Sequence, residues 1–227
     1  TVGGLQITST ATSNIGLGAN AVNSITTGDY NIGLGDDAGT AITEGHRNVL
    51  LGWETGKAIT TGSNNIAIGK QALLLNVTGG GNVAIGNAAL DANTASYNVG
   101  IGYNALSANT SGAYNVALGA NALDANTTAN DNTAVGKDAL TANTTGATNT
   151  GIGNSALYTN TTGGSNTALG KNSLLANTTA SNNVAVGAYS ASNNTTGTEN
   201  TAVGKSSLNS NTTADGNTAI GYTALTA

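Results

Sequence analysis

The 227-residue chain is 38% apolar and 7% charged, with a formal net charge of −5 and neither cysteine nor proline. Its acidic balance, without any basic cluster, argues against nucleic acid as a partner, and its apolar residues are spread evenly instead of forming the run of about eighteen that a membrane span needs. Without cysteine there is no disulfide scaffold and no thiolate metal site, which leaves the redox compartment open, and the lack of proline suits an unbroken ladder of main-chain hydrogen bonds.

Residues 1–13 read as a degenerate partial repeat, Ile7-Thr8 echoing Ile25-Thr26, ahead of an array at 14–227. From Asn14 an asparagine recurs every seventeen residues to Asn82; one step of sixteen leads to Asn98, and the interval of seventeen then resumes to Asn217. A short fixed period with the same chemistry at each phase means one coil of backbone stacked many times. The predicted fold is therefore all-β, a repetitive parallel β-roll or β-helix: a solenoid of seventeen-residue coils whose last copy is truncated. Neither end supplies a polar cap, so more chain or a partner is expected over both.

Each copy opens as a strand, as in Asn82-Val83-Ala84-Ile85-Gly86 and Asn132-Thr133-Ala134-Val135-Gly136. The branched residues share one face, and Asn, the small residue and Gly share the other. Asn82, Gly86, Asn115, Gly119, Asn132, Gly136, Asn149 and Gly153 thus mark repeat positions, and the invariant Gly is expected to need a positive φ or a very close backbone neighbour. A small residue and a Leu follow, as in Ala122-Leu123 and Ala139-Leu140, predicting a second inward stretch before a polar turn such as Asn143-Thr144-Thr145-Gly146.

Such a coil has few large apolar side chains, for instance Val116, Leu118 and Leu123. The expectation is that Val116 and Leu118 fill the interior while the small face of Asn115, Ala117 and Gly119 abuts symmetry mates; the opposite assignment is the alternative. Either arrangement calls for a homo-oligomer about one axis. Two irregularities stand out. The position eleven after the Asn changes from Ile25, Ile42 and Ile59 to asparagine at Asn76, then Asn93 and every later copy, which predicts an internal column of amides bonded along the stack. The residue missing between Asn82 and Asn98 is placed in the turn Thr94-Ala95-Ser96-Tyr97.

The run Asn82 to Ala89 resembles the head repeat of trimeric autotransporter adhesins, and the longer pattern Asn132 to Gly146 is similar to arrays in phage tail fibres and bacterial surface proteins. The resemblance spans nearly the whole chain, although this repeat is about three residues longer than the adhesin one. It implies a homotrimeric left-handed β-roll acting as a non-enzymatic shaft or head at a cell or virion surface, extracellular, with a host glycan or protein receptor as partner.

No cofactor and no catalysis is expected. His46, the only histidine, lies in a variable turn, and acidic residues such as Asp36, Asp37, Glu44, Asp91 and Asp124 show no recurring pair. Asp36-Asp37 lacks the glycine-rich nonapeptide of calcium-binding rolls and reads as a solvated turn. Trp53 follows Gly52 at the phase of Tyr103 and Tyr222, which predicts outward aromatic side chains able to contact a glycan or protein. Asn-x-Thr triplets, as at Asn126 and Asn143, match glycan acceptors through the repeat itself. Two other readings are an ice-binding solenoid using the column Thr110, Thr127, Thr144, Thr161, Thr178, Thr195 and Thr212, and a subunit of a self-assembling extracellular filament.

Overall fold

The computed structural model describes residues 5–6 and 13–226, which fall into two units, one ending at Tyr114 and the other starting at Asn115. Ile7-Thr8, the basis for reading a partial repeat before Asn14, lies outside the described residues. In the first unit β1 (Leu5–Gln6) pairs antiparallel with β2 (Ile15–Leu17). From β2 onward β3 (Ile32–Leu34), β4 (Val49–Leu51), β5 (Ile66–Ile68), β6 (Val83–Ile85) and β7 (Val99–Ile101) pair in parallel, each with the next. The second unit repeats this plan in β8 (Val116–Leu118), β9 (Thr133–Val135), β10 (Thr150–Ile152), β11 (Thr167–Leu169), β12 (Val184–Val186), β13 (Thr201–Val203) and β14 (Thr218–Ile220). Register follows the repeat, so Thr150 stands against Thr167 and Ile152 against Leu169. Both units are all-β parallel solenoids with one coil per repeat, as the period requires, and the described residues contain no helix.

Between strands the backbone closes the coil through left-handed residues. In the coil of β9 these are Gly136 at φ 133°, Asp138 at 59° and Leu140 at 53°, after Asp131 at 59° in the preceding turn. A non-glycine residue pays about 1 kcal/mol for such a conformation. At Leu140 that cost is offset by complete burial of the side chain, which contributes about 2 kcal/mol. The inward Ala-Leu stretch is as predicted: Ala122, Leu123, Ala139 and Leu140 are all fully buried.

The strand faces are the reverse of the leading expectation. Asn115, Ala117, Asn132 and Ala134 are fully buried in the coil, whereas Val116 is 37% and Leu118 45% exposed. The cause is the opposite wall. Leu140 reaches across the coil toward the next strand, so that a methyl group on Gly151 would stand 3.3 Å from its Cγ and Cδ1. Only Ala or Gly fits on the strand facing such a leucine. β4 inverts the arrangement and keeps the volume: Leu50 occupies the strand centre, and the two leucine positions beside it become Gly39 and Gly56, where a methyl would lie 2.6 Å and 2.8 Å from the Leu50 methyls. Where one wall carries a leucine at these levels, the facing position is Ala or Gly, so volume is traded between the walls. Charged substitutions at Ala117 or Ala134 thus attack the coil itself and not a contact between copies.

Buried asparagines run along both sides of this core. On the strand side the Asn65 Oδ1 accepts from the Asn82 backbone N at 3.0 Å and from its Nδ2 at 3.1 Å, while Asn82 Nδ2 also donates to the Ala95 carbonyl at 2.9 Å. On the turn side the predicted amide column is present: Asn160 donates to Asn143 at 2.8 Å and Asn177 to Asn160 at 2.8 Å. The two columns converge on the turn, where Asn149 Nδ2 and Asn160 Nδ2 both donate to the Gly163 carbonyl, at 2.8 Å and 2.9 Å. The shortened coil confirms the site of the missing residue. Asn93 bonds the carbonyl two residues on, Ala95, where Asn143 bonds the one three residues on, Gly146. Asn93 Oδ1 keeps its column bond from Asn109 Nδ2 and accepts a further one from Asn98 Nδ2, but Asn93 Nδ2 goes to the Ala95 carbonyl, and Asn76 Oδ1 is left buried without a partner.

These columns make unequal demands on their members. Asn160→Ala orphans Asn143 Oδ1 and opens a void, with an expected loss of about 2–4 kcal/mol. Asn76→Ala removes an oxygen that already has no partner, and Asn65 Nδ2 still holds the Gly79 carbonyl at 3.0 Å, so its expected cost is about 1 kcal/mol. Denaturant unfolding of the two variants measures the difference.

Candidate functional site

Because the small residues point inward, the branched residues of every strand form two parallel outward columns. In the first unit both columns are aliphatic throughout: Ile15 and Leu17, Ile32 and Leu34, Val49 and Leu51, Ile66 and Ile68, Val83 and Ile85, Val99 and Ile101. Ile15, Leu17, Leu34 and Ile66 are between 36% and 47% exposed. In the second unit the outer column keeps Leu118, Val135, Ile152, Leu169, Val186, Val203 and Ile220, while the inner one is mostly threonine, at Thr133, Thr150, Thr167, Thr201 and Thr218. Scattered apolar residues on a surface need no explanation, but an unbroken aliphatic ladder on a regular β-face is the mark of an interaction site.

The corner glycines border this face, and the residues after them form a rim that points outward, as the sequence predicts. Trp53 is 46% exposed, Tyr103 57% and Tyr222 72%. The Trp53 ring is partly covered, its centroid 5.1 Å from Lys70 Nζ on the next coil, a cation–π contact worth about 0.5–1 kcal/mol at an exposed site. Trp53 and Tyr103 are three coils apart and do not form one compact site, and Tyr222 belongs to the other unit. A second aromatic phase, the residue just before the repeat Asn at Tyr30, Tyr97 and Tyr114, was not singled out from the sequence. Tyr97 and Tyr114 stack at 5.5 Å and 6°, and Arg47 lies 5.7 Å from the Tyr30 centroid. The signal was available, since each pair occupies one phase in successive copies.

Polar groups with possible chemistry are mostly engaged by the stack. His46 Nδ1 accepts from the Asp29 backbone N at 2.9 Å, and Ser63 Oγ accepts from the His46 N at 3.0 Å, making the imidazole a half-buried turn residue. Asp36 Oδ1 accepts from the Ala19 N at 2.9 Å, and Asp37 is bonded to Asn20 and Lys57. Among the described residues no group of three or more His, Cys, Asp or Glu side chains is placed to hold a metal ion. The threonine column behaves alike: Thr144, Thr161, Thr178 and Thr195 donate their hydroxyls to carbonyls of the following coil at 2.8–3.1 Å. They are thus spent on the protein instead of being displayed in a rank. The Asn-x-Thr asparagines at Asn126, Asn143 and Asn160 are buried members of the amide column, out of reach of a modifying enzyme in the folded coil.

One ion-pair cluster has a pH signature. Lys57 Nζ stands 2.6 Å from Glu54 Oε1 and 3.4 Å from Asp37 Oδ2. Hydrogen bonds from Lys57 and Gln71 hold the Glu54 carboxyl below its ordinary value, and the Asn20 amide, followed by Lys57, does the same for Asp37. Both folded pKa values are depressed, so this stabilisation is complete above the usual carboxylate range and disappears as pH falls through the folded values. Lys57→Met is expected to lower the melting temperature slightly at pH 7, and the gap should close below about pH 4. Asp91 is shifted the other way, raised by partial burial, so its ionisation opposes folding at neutral pH.

Comparison of the chain with protein-family models, with curated proteins and with solved structures finds no match. No helix among the described residues is long and apolar enough to cross a membrane.

Proposed function

We propose that this chain is a non-enzymatic structural segment, the shaft or head of an extracellular fibre of the tail-fibre or surface-adhesin kind, assembled as a homotrimer through its aliphatic strand faces. The observation that carries the proposal is the continuous outward aliphatic ladder of β2–β7. Covering a near-half-exposed Leu or Ile such as Ile15, Leu17, Leu34 or Ile66 gains about 1 kcal/mol, and each of the eight less exposed positions gains about half of that or less, so the twelve together offer on the order of 5–8 kcal/mol to each chain. That matches the roughly 4–15 kcal/mol lost on association. Three narrow regular faces turned toward one axis would enclose an apolar core with every copy in the same register. The likeness of the repeat to adhesin heads and tail-fibre arrays points the same way, and a surface setting with a glycan or protein receptor follows from it.

Light scattering of the folded chain, with the far-ultraviolet spectrum of the same sample, tests the proposal. A β-rich particle of three chains is expected. A β-rich monomer would overturn the assembly, and a mass that keeps rising with concentration would favour a filament.

A further inference from the structure

The second unit carries its cations in a pattern that the fibre reading does not require. Three of the chain's six Lys and Arg residues, Lys137, Lys171 and Lys205, occupy the rim phase on every second coil and are exposed. Their alignment is fixed by the backbone: Ser155 N donates to the Lys137 carbonyl at 3.0 Å, Tyr189 N to Lys171 at 2.9 Å and Thr223 N to Lys205 at 3.0 Å. With coils about 4.8 Å apart, the ammonium groups recur at intervals of about 10 Å. The coils between and after them present neutral side chains: exposed Asn154 and Tyr222 at the rim phase itself, and exposed Tyr189 one residue beyond the small Ala188 that holds that phase. The Lys171 and Lys205 ammoniums lie 6.0 Å and 5.9 Å from the Tyr189 and Tyr222 ring centroids. The rim column of this unit holds no carboxylate, and in the column one residue beyond it Asp138 is the only one, paired to Lys137 at 2.6 Å.

We propose that this stripe binds a linear acidic polysaccharide with a carboxylate on every second sugar, each carboxylate on a lysine and each neutral sugar over Asn154, Tyr189 or Tyr222. Two sugars of an extended chain advance by about the same distance as two coils, so charge and register agree along the whole column. A nucleic-acid strand fits poorly, because its phosphates recur at about 3.4 Å along the axis and have no such alternation.

The test uses the full chain, immobilised, with hyaluronan as the probe. Saturable binding that weakens with added salt is expected, together with at least a tenfold loss in the triple variant Lys137→Gln, Lys171→Gln, Lys205→Gln and a several-fold loss in Tyr189→Ala. Carboxyl-reduced hyaluronan should not bind. Asn154 and Ala188 occupy the same phase naturally, so the triple variant should keep the wild-type mass and far-ultraviolet spectrum; failure of sugar binding is thus distinguishable from failure of assembly. Absence of hyaluronan binding, unchanged binding by the triple variant, or equal binding of oligothymidylate would overturn the proposal.

Discussion

Ile66→Lys is expected to leave the coil folded and abolish association, whereas Ala67→Lys, one residue later, is expected to unfold it. Ile66 lies 40% exposed between Val49 and Val83, while Ala67 is fully buried opposite the large core side chains. A lysine at position 67 finds neither room nor a partner for its charge, and the expected destabilisation is more than about 4 kcal/mol. At position 66 the lysine extends into solvent in the single chain, with a cost of about 1 kcal/mol or less from the lost branched side chain. In a trimer it would place three ammonium groups in the apolar centre, each costing several kcal/mol to desolvate. Circular dichroism should therefore show Ile66→Lys folded and Ala67→Lys unfolded, and light scattering should find Ile66→Lys monomeric. Assembly of Ile66→Lys to the wild-type mass would remove the strand face from the proposal.

Much of the architecture was legible because the period is so regular. The strands, their parallel register, the buried Ala-Leu pairs, the amide column and the shortened turn all follow from which chemistry recurs at which phase. What the period does not specify is the direction of each face, because a strand alternates in the same way whichever side is the core. The deciding residue lay on the other wall. Leu140 and its counterparts claim the interior volume, and β4 makes the trade visible by exchanging Leu50 for Gly39 and Gly56. The left-handed leucines were equally hidden, since nothing in the residue type announces φ near 53° at Leu90, Leu123 and Leu140. Of the candidate site, the outward rim of Trp53, Tyr103 and Tyr222 was readable by phase. The branched residues were seen to share one face, and of the two assignments left open the leading one turned that face inward.

The corner glycine illustrates how a repeated residue can be required by its neighbours as well as by its own conformation. Gly153 has φ 135°, a region that side chains rarely enter, and a methyl group there would stand 2.6 Å from the carbonyl carbon and oxygen of Gly170 on the next coil. Those atoms are backbone, held by the hydrogen bond from Gly170 N to the Ile152 carbonyl at 2.7 Å, and they cannot move without opening the stack. Gly153→Ala is thus expected to cost more than about 4 kcal/mol, because left-handed strain and a backbone overlap add at one position. Gly164, in the polar turn that ends the same coil, is the control. Its φ is not in the left-handed region, the nearest atom to an added methyl is the Ala147 carbonyl oxygen at 3.1 Å, and Ala147 and Ser181 occupy the same phase. Gly164→Ala should therefore change stability by about 0.5 kcal/mol or less, in either direction. Thermal unfolding of the two variants decides the matter: a wide gap places the constraint in the packed corner, and equal melting temperatures would mean that the stack can relax around a side chain there.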